Sequence, residues 1–274
     1  MLLIGQIKDQ KNSMGDPRVI LYNASSSYYS MIGRLALLEA RIPFESKRMD
    51  IHIAKEQLSP WYQVINPMMT VPTLVDCDQV LTDSEAILKL AASIAGIEWD
   101  DSDPMFLPDI EKLVKAHYAI SIEYLTFGKA LISIPPLRVI VPKMLQKIIK
   151  NLETEVAYSA NSVAVQAKIE LNQKRLAYFT EGNREDKLKI ERDNVLAYLE
   201  MLPISNDQLV GKKLSSVDIV TAVLCGRLKM IGEYGLIQKK SPLDSWFDRF
   251  QMRPAFKQAD IWLSFQPLRI LLKR

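Results

Sequence analysis

Cysteine and histidine are scarce, with two of each in 274 residues. Cys77 and Cys225 lie too far apart in sequence to form a disulfide framework, which argues for a reducing compartment. His52 and His117 are isolated, with no partners at metal-ligand spacing, so no metal site is expected. The chain has no glycine-rich phosphate loop, and no apolar run approaches the ~20 residues that span a bilayer. Neither sign of charge dominates: 35 Lys and Arg stand against 32 Asp and Glu, too small an excess to imply a nucleic-acid partner. The N-terminal Met1-Leu-Leu-Ile lacks the preceding positive charge and small-residue cleavage site of a signal peptide, so a cytoplasmic protein is expected. A hydrophobic content of 48% fills a core, and the length suggests two domains.

The strand signals cluster early. Val19-Ile-Leu-Tyr22 reads as a buried strand ending in the polar segment Asn23–Ser27. A helix follows over Tyr29–Ala40, with Ile32, Leu35, Ala36 and Leu38 at helical spacing. Phe44–Ile51 is expected as a second strand and Lys55–Val64 as a short helix. Thr70–Val75 and Val80-Leu81 form a hairpin around Asp76–Gln79. Thr82-Asp83-Ser84 then caps a helix that ends at Gly96. This β-α-β-α-β-β-α order is the thioredoxin plan, over residues 17–97. After Asp100-Asp-Ser-Asp-Pro104, read as a linker, only helical periodicity remains. Helices are expected near Pro108–Lys129, Pro142–Tyr158, Val163–Phe179, Arg184–Leu202, Ser216–Ile231 and Leu243–Gln251. The fold class is therefore an α/β thioredoxin-like N-terminal domain plus an all-α C-terminal bundle, residues 98–274.

The most specific stretch is Asn66-Pro67-Met68-Met69-Thr70-Val71-Pro72-Thr73-Leu74, followed by Leu81-Thr82-Asp83-Ser84-Glu85. It resembles the glutathione transferase superfamily, whose members share an Asn-Pro, a Val-Pro-x-Leu and an acidic-or-Gln-plus-Ser pair at this spacing. The resemblance implies glutathione as co-substrate, no metal, and a homodimer. It also implies that a cis Pro72 leaves the Val71 backbone open to the cysteinyl backbone of the peptide. The Asp83-Ser84 helix start would hold the γ-glutamyl end, its exposed N–H groups and dipole favouring the carboxylate and Asp83 the ammonium. Without Val71-Pro72, Asp83 and Ser84 would read only as an N-cap.

The same resemblance places the catalytic residue at Ser27, in register with Arg34-Leu35. A hydroxyl donated to the glutathione sulfur favours the thiolate, and the following helix N-terminus adds positive potential. Ser25, Ser26 and Tyr28 compete within the turn. Thiol oxidoreductases of the thioredoxin fold carry Cys-x-x-Cys where this chain has Ser27-Tyr28-Tyr29-Ser30, so disulfide exchange is not expected. His117, Tyr118 and Tyr124 are expected on one long helix, which lines the acceptor pocket in relatives.

Further along, Ser215 and Asp218 have capping-box spacing and a structural role. Trp246-Phe247 and Arg253-Pro254 resemble the family's C-terminal signature. An insertion at about 131–183 is similar to those of bacterial β-etherases, plant tetrachlorohydroquinone-dehalogenase-like transferases and ganglioside-induced differentiation-associated proteins. Within it, Met144, Leu145, Ile148, Ile149, Leu152 and Val156 share one helical face opposite Lys143, Lys147 and Lys150. That pattern suits packing against its own domain, with membrane contact the lesser reading. The C-terminal tail is read as a flap over the electrophile pocket.

Three residues depart from the family pattern. Met69-Thr70 stand where relatives have Gly-Lys or Gly-Gln, and Leu58 stands where a polar residue is usual, which removes a partner for the glycine carboxylate. The expected function is a transferase that turns the Ser27-held thiolate on a hydrophobic electrophile by conjugation, dehalogenation or ether cleavage. Its rival is a non-catalytic module of the same fold that binds apolar ligands or protein partners.

Overall fold

The computed structural model describes residues 19–77, 79–157, 159, 161–204, 208–239 and 241–271. In chain order the elements are β1 (Val19–Asn23), α1 (Tyr28–Glu39), β2 (Glu45–Arg48), a 3-10 turn (Glu56–Leu58), α2 (Pro60–Ile65), β3 (Thr73–Asp76), β4 (Gln79–Leu81) and α3 (Ser84–Ala95). Then come α4 (Leu107–Tyr118), α5 (Ile122–Ser133), α6 (Leu137–Val156), α7 (Ser162–Thr180), α8 (Arg184–Met201), α9 (Ser216–Met230), α10 (Gly235–Gln238), α11 (Ser241–Phe250), α12 (Pro254–Gln258) and α13 (Pro267–Leu271). They fall into two compact units. One holds the described residues up to Gln57, Thr70–His117, and those from Met201 onward; the other holds Leu58–Met69 and Tyr118–Glu200.

In the first unit the strands form one mixed sheet in the order β2-β1-β3-β4. β1 pairs parallel with β2 and antiparallel with β3, with Tyr22 opposite Thr73. The thioredoxin-like order read from the sequence is therefore what forms. In β1, Val19, Leu21 and Asn23 are buried while Ile20 and Tyr22 are half-buried, the alternation of a strand covered mainly on one face. β2 is exposed throughout and carries Lys47 and Arg48, charges that discourage edge-to-edge pairing.

Helix α9 is buried from Ser216 to Leu228 and packs on α1 and α3, so it is apolar on almost every side. Its start is the anticipated capping box: Asp218 accepts from the Ser215 backbone and hydroxyl at 2.8 and 2.7 Å. Asp218 also accepts the Leu209 N–H at 2.9 Å. Trp246 and Phe247 of α11 are fully buried, and Arg253 grips Glu39, at the end of α1, with two bonds of 2.6 Å.

The acidic stretch expected as a linker is a built junction within this unit. Asp100 is buried and accepts the Lys212 and Lys213 N–H groups, both at 2.6 Å. Gly211, at φ +70°, brings its backbone so close that a β-carbon there would collide with the Asp100 carboxylate. Only glycine suits both demands.

In the second unit α6 and α7 form a helical hairpin. Ile149 and Leu152 of α6 meet Val165 and Ile169 of α7 and Met69, with Leu58 packed alongside. The apolar face of the basic amphipathic helix is thus covered by its own unit. α6 begins at Leu137, five residues before the expected Pro142. Pro135-Pro136 precedes it, and Arg138 ties back to the Leu131 carbonyl at 2.8 Å. The expected single helix near Pro108–Lys129 is two, α4 and α5, so Tyr124 does not share a helix with His117 and Tyr118.

Lys168 of α7 is buried and donates to the carbonyls of Met68 and Met69 at 3.3 and 3.0 Å. Met69 itself sits at φ 53°, a left-handed conformation unusual for a methionine. Asn172 donates to the Lys168 carbonyl at 2.8 Å, and Arg175 bridges Asn172 to Glu123 at 3.2 and 2.6 Å. Burial, reinforced by Arg175, lowers the Lys168 ammonium to about 8 from 10.5. Between these values the unfolded chain binds more protons at this side chain than the folded one, so its contribution to stability grows as pH rises from about 8 toward 10.5.

Two stability measurements test these readings. Gly211→Ala is expected to lose about 1–3 kcal/mol through left-handed strain and the displaced Asp100 carboxylate, seen as a lower melting temperature. In urea unfolding, wild-type stability relative to Lys168→Met should rise from pH 7.5 to 10. A difference independent of pH would contradict the buried-ammonium assignment.

Candidate functional site

The first helix starts from a turn, Ala24–Ser27, held from beneath by Arg34. The Arg34 guanidinium makes five hydrogen bonds: Nε to Ala259 O, Nη1 to Asn23 Oδ1 and Ala24 O, and Nη2 to Ser25 O and Asp260 O. Burial, then the nearby Arg48, lowers its pKa to about 9, which leaves it charged at neutral pH. The hydroxyl oxygen of fully buried Ser30 accepts the Ala24 N–H at 3.2 Å.

The three serines of the turn have different partners. Ser25 Oγ accepts from Arg48 at 2.7 Å, and Ser26 Oγ meets His52 Nε2 at 2.6 Å. Ser27 is the N-cap of α1 and accepts the Ser30 N–H at 3.3 Å. Among the described residues its hydroxyl hydrogen is given to no acceptor. A serine can cap a helix with its oxygen and still donate its proton elsewhere.

A cavity of about 100 Å³ opens beside the turn, lined by Ser25, Ser26, Met49, His52, Trp262 and Arg269 among others. Trp262, Arg269 and Ile270 belong to the C-terminal tail, which thus borders this cavity. Arg269 is fixed there by Asp260 through bonds of 2.7 and 2.6 Å, and Asp260 also meets Arg48 at 3.4 Å.

Pairing of Tyr22 with Thr73 brings the start of β3 next to the end of β1. The Val71–Pro72 bond is cis, and among the described residues the N–H and C=O of Val71 make no hydrogen bond. Pro72 lies against α1 at Gly33, where a side-chain carbon would stand 3.4 Å from Pro72 Cγ and 3.6 Å from Ile87 Cδ1 of α3. Thr70 Oγ1 reaches Thr82 O at 3.5 Å, tying the approach to Val71 to the start of α3. There Asp83 is the N-cap, its Oδ1 accepting the Ala86 N–H at 2.8 Å. Its Oδ2 makes no bond among the described residues, and Asp83 is exposed while Ser84 is buried. The capping role and an open carboxylate oxygen therefore coexist. Half-buried Val71 thus keeps an unbonded backbone pair among the described residues, the start of α3 favours an anion, and Ser27 keeps a hydroxyl hydrogen to donate.

The sequence places His117 on a pocket-lining helix but does not announce three pairings around this turn. His117 is buried, stacks on Tyr28, and its Nε2 lies 3.0 Å from the Tyr28 hydroxyl; burial lowers it to about 3 and keeps it neutral. His52 meets Ser26 across 26 residues of sequence. Arg227 of α9 donates to the Ser26 carbonyl at 2.9 Å. Each pairing spans different elements, so no local spacing announces it. Among the described residues no group of His, Cys, Asp or Glu could hold a metal ion, and no helix is long and apolar enough to cross a membrane.

Residues 21–99 match the family model described as glutathione S-transferase, N-terminal domain. The chain is 28% identical over 264 residues to the tetrachloro-p-hydroquinone reductive dehalogenase of Sphingobium chlorophenolicum, covering 89% of this chain and 96% of that protein. Among solved structures, a glutathione transferase family member from Pseudomonas fluorescens Pf-5 with two glutathione bound has a TM-score of 0.62 at 15% identity, covering 94% of this chain and 97% of that one. Glutathione transferase F7 from Populus trichocarpa has a TM-score of 0.57 at 17% identity, covering 90% of this chain and all of the other. Sheet order, the cis Val71–Pro72 bond, the capped start of α3 and these matches agree: residues 21–99 form a glutathione S-transferase N-terminal domain, in a chain that shares the fold of solved glutathione transferases.

Proposed function

We propose that the protein is a glutathione transferase in which Ser27 donates its hydroxyl hydrogen to the glutathione sulfur. Val71 pairs with the cysteinyl backbone, while the start of α3, with Asp83 and Ser84, holds the γ-glutamyl end. The thiol loses its proton to solvent; the sulfur then forms a bond to an electrophilic carbon of a hydrophobic acceptor as the bond to halide or ether oxygen breaks. The observation that carries this reading is the contrast among the serines: Ser25 and Ser26 are engaged by Arg48 and His52, whereas the Ser27 proton is uncommitted among the described residues.

The turn holds no cysteine, the only two being Cys77 and Cys225. Substitution by the glutathione thiolate therefore fits this chain better than exchange through a protein thiol. A cytoplasmic homodimer completes the reading and rests on the family resemblance.

One observation favours the non-catalytic alternative. Leu58 and Met69, which replace polar and glycine residues of the family pattern, face the apolar cluster of α6 and α7. Loss of one charge-assisted hydrogen bond to the glycine carboxylate is worth roughly 1.5–3 kcal/mol, or one to two decades of affinity.

Calorimetric titration of glutathione separates the readings. Saturable binding at millimolar glutathione is expected, and Ser27→Ala should retain binding while conjugation of a chloronitroaromatic acceptor falls about 10²-fold or more. Absence of saturable binding would overturn the enzyme reading. Full activity in Ser27→Ala would remove Ser27 alone.

A further inference from the structure

Two buried arginines reach the Ala24–Ser27 turn, and they are satisfied very differently. Arg34 uses its guanidinium in five hydrogen bonds. Arg227, 7% exposed in the last turn of α9, makes one, from Nη2 to the Ser26 carbonyl at 2.9 Å. Its guanidinium carbon lies 5.5 Å from the centre of the Tyr28 ring. Its Nε is buried with no acceptor among the described residues, and no carboxylate there pairs with it. Burial lowers its pKa to about 10, so it remains a cation at neutral pH.

A buried charge without a counter-ion is strongly unfavourable unless something offsets it. The surrounding groups offset it only in part. Tyr28 and Tyr29 of α1 favour the Arg227 charge, Tyr28 through its ring, but neither is a carboxylate counter-ion. His117 of α4 is held neutral by burial, and burial lowers His52, in the segment after β2, with Lys55 and Arg227 adding to the effect. Arg48 is engaged by Ser25 and Asp260. What stands immediately next to the Arg227–Ser26 bond is Ser27 and the N-terminus of α1, a twelve-residue helix whose dipole also favours an anion. The unpaired guanidinium and the helix start converge on the position where a negative charge would be held.

We propose that Arg227 is a positioning residue of the thiolate site, fixing the Ser26–Ser27 peptide and supplying the buried positive charge that keeps a bound thiol ionised. This rests on the glutathione-transferase reading above. The thiol proton leaves to solvent, and Arg227 remains protonated throughout. In this arrangement Ser27 contributes the directional hydrogen bond, and Arg227 the charge, delivered from a helix more than 200 residues downstream.

The test is a pH titration of the ultraviolet thiolate band of glutathione bound at saturation to wild type, Arg227→Gln and Arg227→Lys. Arg227→Gln is expected to raise the bound thiol pKa by about one unit or more, and Arg227→Lys to return it toward the wild-type value. A purely structural role would weaken glutathione binding and leave the bound thiol pKa where it was, which overturns the proposal. Arg227→Met keeps an apolar stem over Tyr28 and replaces the Gln variant if circular dichroism shows that one unfolded. Wild-type protein that fails to bind glutathione overturns the underlying reading; binding with a thiol pKa insensitive to Arg227 overturns only this inference.

Discussion

The Ala24–Ser27 turn depends on the Arg34 guanidinium. Its five hydrogen bonds join Asn23, Ala24 and Ser25, at the end of β1, to the carbonyls of Ala259 and Asp260, over 220 residues later. Main-chain carbonyls in an irregular turn have no strand or helix to satisfy them, and leaving several buried would be expensive. A planar cation with a rigid fork of donors meets that demand in a way a lysine cannot. The direction of Ser27, the seat of Asp260 and the place of Arg269 all follow from it.

Much of the fold was legible because its signals are local. The strand Val19–Tyr22, the Asp83 cap and the Ser215/Asp218 box each lie within a few residues, and each forms as read. The elements that moved were governed by neighbours rather than by spacing. α6 starts at Leu137 because Arg138 and a buried Val141 extend the helix past its proline. The acidic stretch after Trp99 looked like a linker because aspartates and proline usually mark one; the carboxylates of Asp100 and Asp101 instead accept backbone N–H groups of residues 212, 213 and 216. The site divides in the same way. Motifs pointed to Val71, Pro72, Asp83, Ser84 and Ser27, whereas the partners of Ser25, Ser26 and Tyr28 come from elements whose meeting no pattern records.

The electrostatics around the turn are correspondingly sparse. Two histidines stand close to it, yet burial disfavours the charged form of both. Fixed arginines, rather than titrating imidazoles, therefore set the local potential, and that potential stays nearly constant across the neutral range.

Met69 has a different kind of consequence. Its backbone is left-handed, while its side chain is a member of the apolar cluster of the α6–α7 hairpin. Replacement by glycine would relax the backbone but leave a hole among Ile149, Leu152, Val165 and Ile169, so the strained backbone and the packed side chain hold one another in place.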